Sequence, residues 1–277
     1  MHPVIARLGG LTVGSHEFFV GLGVLVAAAV VVLEARRRGM WGDGMLVAIA
    51  GGLVGGGIGM RSTSWLRSPD LALHASVTDV WQYGAKSVLG GLTGAYLGVL
   101  LAKRLVGYRV RTGDVFAPAV ALGMAVGRIG CLLTEPPGRL TSLPWGIRLT
   151  PEQVAAIPGC TTCVPGVPLH PSFAYEIAFQ LAAFGWLLWL RPRMPVPGSL
   201  LTAYLAAYAV FRFGVEFTRD NEVVLAGLTR GQWFILALSP LLAWRVALLV
   251  GSTGTDRHPG GRLAHALPET AEAGGLR

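Results

Sequence analysis

Gly127-Arg128-Ile129-Gly130-Cys131 closes an apolar run over 114–133 and gives way to the polar stretch Thr134-Glu135-Pro136-Pro137-Gly138-Arg139. A guanidinium at or below the headgroup level of a bilayer is costly without an anionic partner, so an arginine in a spanning segment marks a functional site by default. A phosphate is the obvious partner. That reading requires a membrane protein, and the composition supplies one: 52% hydrophobic residues, 14% charged residues and 39 glycines in 277 residues, with a mean hydropathy of +0.55. No soluble domain of this length is normally so apolar. The net charge of +8 would also suit a nucleic-acid binder. The basic residues are spread through short loops between apolar runs, however, so no nucleic-acid partner is expected.

Apolar runs of membrane-spanning length, about 17 to 25 residues, lie near 17–35, 44–60, 87–102, 114–133, 172–190, 199–217 and 231–250. The expected fold is therefore an all-α integral membrane protein with about seven transmembrane helices. The first run is followed by Glu34-Ala35-Arg36-Arg37-Arg38, whereas a cleaved signal peptide carries its charge in front, so this run stays as a helix. Arg36 to Arg38, Lys103, Arg104, Arg109, Arg111, Arg191, Arg193, Arg257 and Arg262 fall on one side, and positive residues favour the cytoplasmic face. The N-terminus is thus expected outside and the C-terminus in the cytoplasm. The opposite loops still hold Arg61, Arg67, Lys86, Arg139, Arg148, Arg219 and Arg230, which suggests that several of these serve something other than topology.

Residues 1–250 form the expected membrane domain. The one long polar insertion, 134–170, is rich in Pro and Gly and reads as a small extracytoplasmic head between the fourth and fifth spans. Residues 251–277 read as a disordered cytoplasmic tail. The second span carries Gly51, Gly52, Gly55, Gly56, Gly57 and Gly59, and the third carries Gly90, Gly91, Gly94 and Gly98. Such spacing lets helix backbones approach closely, either for tight packing alone or around a lipid cleft.

The chemistry-bearing residues gather at the outer helix ends. Arg61 closes the second span, Arg128 lies near the outer end of the fourth, His170 and Tyr175 open the fifth, and Arg212, Glu216 and Arg219 close the sixth. The last three are spaced i, i+4, i+7 along one helical face. An ion pair between Arg212 and Glu216 would account for two of them, but one carboxylate cannot neutralise Arg61, Arg128 and Arg212. The excess charge fits a phosphate-bearing ligand, whose oxygens suit the bidentate fork of arginine. His16 opens the first span, as an interfacial anchor or a proton carrier, and His170 before Pro171 reads as a site residue or as no more than the opening of the fifth helix. Cys160-Thr161-Thr162-Cys163 reads as a disulfide or as two free thiols. A zinc site drawn from that pair with Cys131 and His170 has only one CxxC and a guessed fourth ligand, so no metal and no cofactor is expected.

Four ordered stretches carry a resemblance over about residues 13 to 250: Gly127-Arg128-Ile129-Gly130 with Gly138-Arg139; Leu143-Pro144-Trp145-Gly146; His170-Pro171-Ser172 with Tyr175-Glu176; and Arg212-Phe213-Gly214-Val215-Glu216-Phe217-Thr218-Arg219. In these the chain resembles the prolipoprotein diacylglyceryl transferases of bacterial inner membranes. The resemblance implies a multi-pass protein of the bacterial cytoplasmic (inner) membrane. Its substrates would be phosphatidylglycerol, drawn from the lipid bilayer, and prolipoprotein signal peptides with a lipobox cysteine, whose thiol receives the diacylglyceryl group as glycerol phosphate leaves. It further implies that Arg128 contacts the donor headgroup and that Arg212 is essential to turnover.

The pattern departs from the family at three places. Leu89 stands where the family commonly has a histidine before the paired glycines, Phe18 where it has a tyrosine, and Cys131 where it has an asparagine. An imidazole and two hydrogen-bonding groups are thereby lost. The expected catalytic set is Arg128, Arg212, Glu216 and His16, the last two as base candidates. The expected substrate-binding set is Arg61, Lys86, Ser87, Glu135, Gly138, His170, Tyr175 and Arg219, and the charge of Lys86 favours a thiolate. The alternatives are a divergent relative that binds phospholipid or uses another acceptor, and an anion transporter, although the spans show no repeated halves.

Overall fold

The computed structural model describes residues 4–8, 11–67, 87–157, 160, 162–194 and 196–255. Its elements in chain order are β1 (Val4–Leu8), β2 (Leu11–Gly14), α1 (Ser15–Arg37), α2 (Asp43–Arg67), α3 (Val88–Leu105) and α4 (Gly113–Thr134). They continue with β3 (Ile147–Arg148), α5 (Pro151–Ala155), β4 (Pro168–Leu169), α6 (Ser172–Leu190), α7 (Ser199–Val215), a 3-10 turn (Glu216–Thr218), β5 (Val223–Leu225), β6 (Leu228–Thr229) and α8 (Arg230–Thr255). Among the described residues, seven helices are long and apolar enough to cross a membrane, all but α5. This agrees with the count read from the apolar runs. Large apolar side chains such as Leu25, Leu101 and Val210 point outward at 68%, 60% and 77% exposure, which is what a bilayer rather than water rewards.

Small residues set the packing. On α4, Ala117, Ala119, Ala121 and Ala125 are buried, and this helix packs against α1, α6 and α7. Where α1 crosses it, a methyl group on Gly23 would meet the Gly123 carbonyl at 2.6 Å. The α2–α3 pair is closer still: a methyl on Gly94 would lie 2.8 Å from the Gly59 Cα, and one on Gly55 would lie 2.8 Å from the Gly98 Cα. The glycine stripes of the two helices therefore touch backbone to backbone, where van der Waals contact must replace a hydrophobic driving force. Gly94→Val forces the pair apart and is expected to lower stability by about 1–3 kcal/mol. Thermal unfolding of the detergent-solubilised protein measures this, and an unchanged midpoint would contradict the packing.

At the helix ends away from Arg128, buried Glu34 pairs with Arg37 at 3.1 Å, with Arg38 at 3.7 Å and with Arg191. There too Asp114 accepts hydrogen bonds from the amides of Gly198 at 2.8 Å and Leu200 at 2.9 Å. Asp114 thereby satisfies donors that the start of α7 leaves without helical partners.

Some details differ from the sequence reading. Three short antiparallel pairs, β1–β2, β3–β4 and β5–β6, accompany the helices, because the polar connections are long enough to form ladders but too short for alternating patterns to register. Helix α8 runs through Thr255, past the expected start of the tail at 251, and residues 256–277 lie outside the described residues. The insertion between α4 and α6 has its own small core of Leu149, Ile157, Cys163 and Leu169. It is closed by a Cys160–Cys163 disulfide with Cα atoms 5.5 Å apart, and α5 starts with a capping box in which the Thr150 side chain accepts from the Gln153 amide. The same threonine holds the exposed Glu152 carboxyl below the usual carboxylate range.

Candidate active site

Two buried carboxylates organise three arginines. Glu176, on the second turn of α6 and 0% exposed, accepts from Arg128 Nη2 at 2.8 Å and from the Tyr208 hydroxyl at 2.8 Å on one oxygen. Its other oxygen lies 3.8 Å from Arg219 Nη1. Glu216 pairs with Arg212 one helical turn earlier, and it also accepts from Asn221 Nδ2 at 2.7 Å and Thr229 Oγ1 at 2.8 Å. The i, i+4 spacing of Arg212 and Glu216 did predict contact. Arg219 leaves that face, because α7 ends at Val215 and the chain tightens into the 3-10 turn. It swings instead toward Glu176 and stacks over Phe173, with its Cζ 4.5 Å from the ring centroid.

Three guanidiniums against two carboxylates leave one positive charge uncompensated in a buried place. Burial lowers the pKa of Arg219 below the ordinary arginine value, Arg212 and Arg128 lower it further, and Glu176 and Glu216 oppose them. Among the described residues, Arg212 Nε and Arg219 Nε and Nη1 are buried with no hydrogen-bond acceptor. Buried donors normally have partners. A cavity of about 140 Å³ opens beside Arg219, lined also by Glu135, Gly138, Ser172, Phe173 and Asn221 among others. This is roughly ten times the space one water requires.

The head and the α7 end meet over this cavity. Arg139 donates its amide to the Thr218 carbonyl at 2.8 Å, Gly138 donates to the His170 carbonyl at 2.8 Å, and Thr162 donates to Asp220 at 2.9 Å. Gly138 is required at that seam, because a Cβ there would run into the Thr218 carbonyl and the Ser172 hydroxyl.

A second group sits where α1 meets the end of α4. Arg128 Nη1 points to Cys131 Sγ at 3.6 Å. That sulfur lies 3.9 Å from His16 Nδ1, which in turn is 3.8 Å from Glu135 Oε1. Arg128 thus joins the two groups.

The remaining expected residues fall into place unevenly. His170 Nδ1 lies 3.3 Å from the Tyr175 hydroxyl, which accepts from Trp145 Nε1 at 2.9 Å; these three form an aromatic corner under the head. Ser87 caps α3 by accepting from the Gly90 amide, a structural duty. Arg61 lies half-buried on α2, and Lys86 lies outside the described residues. Glu216 is engaged by three donors, an arrangement that anchors Arg212 rather than frees a base. Cys160 and Cys163 are bonded to each other, which excludes the four-ligand zinc drawing with Cys131 and His170. Glu176 and Tyr208 were missed as site residues. The signal was present, since Glu176 is an ionisable residue inside an apolar span, the same argument that singled out Arg128.

Fold and site together define a multi-pass helical membrane protein with a buried arginine–carboxylate cluster under a disulfide-closed head. A model of the prolipoprotein diacylglyceryl transferase family matches residues 3–249. A phosphatidylglycerol–prolipoprotein diacylglyceryl transferase from Bordetella avium is 30% identical over 279 residues, covering 93% of this chain and 97% of that protein. Enzymes of the same name from Nitrosospira multiformis and, as number 2 of its kind, from Clostridium perfringens are 31% and 27% identical, with 92% of this chain covered in each case and 87% and 99% of the relatives. The chain belongs to the prolipoprotein diacylglyceryl transferase family.

Proposed function

We propose that this protein transfers the diacylglyceryl group of phosphatidylglycerol to the thiol of the lipobox cysteine in prolipoprotein signal peptides, the first step of lipoprotein maturation. It works at the extracytoplasmic leaflet of the bacterial cytoplasmic membrane, with its N-terminus outside and its C-terminus inside. The carrying observation is the gathering of Arg128, Arg212 and Arg219 around two buried carboxylates, with Arg219, whose Nε and Nη1 have no acceptor, lining the adjoining cavity.

The acceptor sulfur attacks the diacylglyceryl C3 carbon. A C–S bond forms, the bond from that carbon to the phosphate oxygen breaks, and glycerol phosphate leaves with the electron pair while the thiol proton passes to water. The departing phosphate gains a second negative charge as the bond lengthens. Fixed guanidiniums in a water-poor cavity stabilise that charge more in the transition state than in the ground state. Arg219 and Arg212 hold the phosphate through their spare donors, and Glu176 and Glu216 keep the forks in register. Arg128 spans the distance from the headgroup to the thiol side. His170 and Tyr175, joined at 3.3 Å under the head, are assigned to the signal-peptide side.

The test is complementation of a strain depleted of its own diacylglyceryl transferase, with the prolipoprotein analysed by mass spectrometry. Rescue with a diacylglyceryl adduct on the lipobox cysteine is expected. Stable expression without rescue would instead favour a relative that uses another acceptor.

A further inference from the structure

A thiol attacks carbon as the thiolate, and an unperturbed cysteine has a pKa near 8.5. The acceptor therefore needs activation. The arginine cluster engages its own carboxylates: Glu176 accepts from Arg128 and Tyr208 on one oxygen and faces Arg219 at 3.8 Å with the other, and Glu216 accepts from Arg212, Asn221 and Thr229. The groups left beside Arg128 are His16, Cys131 and Glu135, an imidazole, a thiol and a carboxylate whose ligand atoms all lie within 4.8 Å of one another.

Their arrangement has a structural origin. His16 is in the first turn of α1, Cys131 in the last turn of α4, and Glu135 is the extended residue that ends α4, so it can turn back over the helix end. Gly130 lets the helices close: a Cβ there would press on His16 Cα and O at 3.1 Å. The His16–Cys131 and His16–Glu135 distances are 3.9 Å and 3.8 Å. Ligands around a tetrahedral zinc, with bonds of about 2.0–2.3 Å, stand roughly 3.4–3.6 Å from one another. These two pairs need to close by only a few tenths of an ångström, and the third, Cys131 with Glu135, starts from within 4.8 Å.

We propose that His16, Cys131 and Glu135 bind a divalent zinc-type ion whose open fourth position takes the acceptor cysteine as thiolate. The second half rests on the transferase reading above; the metal site itself does not. One imidazole, one thiolate and one carboxylate with a vacant position form a catalytic rather than a closed structural donor set. A coordinated thiol is deprotonated outright. The two anionic ligands balance the ion's charge, which lets it sit beside Arg128, itself paired with Glu176 at 2.8 Å. When the acceptor binds, its proton goes to water. Its sulfur then donates an electron pair to the glyceryl carbon, and the C–O bond to phosphate breaks. The thioether left behind is neutral and a weak ligand, so the product is released. Glu135 also lines the phosphate cavity, which places the two reacting partners side by side.

The chain makes the test clean. Its three cysteines comprise one disulfide and the free Cys131, so any thiolate–metal signal belongs to Cys131. Full-length protein in detergent, stripped with a chelator, is titrated with cobalt(II) and then zinc, and transfer is assayed in parallel with phosphatidylglycerol vesicles and a lipobox peptide. The expected result is about one ion per chain, a thiolate-to-cobalt charge-transfer band displaced by zinc, and transfer lost on chelation and restored by zinc. Cys131→Ser should abolish the band. His16→Gln should weaken binding by more than the roughly 10–100-fold that outer-shell partners contribute. Both variants are checked for unchanged elution and unfolding midpoint. Absence of the band, with transfer indifferent to chelation, would overturn the metal site and leave the transferase reading standing. A band whose loss in Cys131→Ser leaves transfer intact would overturn thiol activation. A normal band with no transfer in any metal state would support the site and sink the transferase reading.

Discussion

Arg128→Lys is expected to cut the rate of diacylglyceryl transfer by about 100-fold or more, the cost of losing one well-placed charge-stabilising donor. Lysine keeps the charge but not the fork. In the native protein one Arg128 nitrogen is held by Glu176 at 2.8 Å while another reaches Cys131 at 3.6 Å, so one planar group serves the headgroup side and the thiol side together. A single ammonium can satisfy Glu176 or face the thiol, not both. Because the charge pair with Glu176 survives, the unfolding midpoint should move little while the rate collapses. Initial rates on purified protein at matched concentrations measure this. A lysine variant with near-native turnover would mean that the bidentate geometry is idle.

Glu176→Ala should act mainly on stability, at about 3–5 kcal/mol, the usual cost of breaking a buried ion pair from one side. Arg128 and Arg219 both lose their shared carboxylate, and Arg219 already carries two buried nitrogens without acceptors. Tyr208→Phe provides the contrast. It removes one hydrogen bond to the charged group, worth about 1.5–3 kcal/mol, and leaves both ion pairs in place. Denaturant or thermal unfolding in detergent ranks the two. Equal losses would show that Glu176 serves as a hydrogen-bond acceptor rather than as the counter-charge of two arginines.

Much of this was legible in the chain, for physical reasons. A bilayer imposes a length and an apolar composition on each span, so the seven helices could be counted directly. Arg128, Arg212 and Glu216 were visible because charge inside such a helix is rare. Glycine stripes at Gly51, Gly55 and Gly59 and at Gly90, Gly94 and Gly98 announced close approach, although not that the two stripes would face each other. Contacts between helices were harder to read. The nearness of His16 to Cys131 depends on where α1 crosses α4, which bare Gly130 permits but does not announce. Glu176 was passed over because a lone carboxylate in an apolar span looks like an exception until its arginines are placed. Arg219 was assigned to the wrong face because helical spacing was carried past Val215, where α7 ends.

Transfer by this site depends on an anion lying among Arg128, Arg212 and Arg219. The most direct measurement is a structure of the full-length protein in nanodiscs rich in phosphatidylglycerol, read for phosphate density in the cavity beside Phe173. The expected result is a headgroup phosphate within hydrogen-bond distance of Arg219 and Arg212, with Arg128 alongside. A cavity holding only water, with lipid phosphates kept to the outer surface of the bundle, would contradict it.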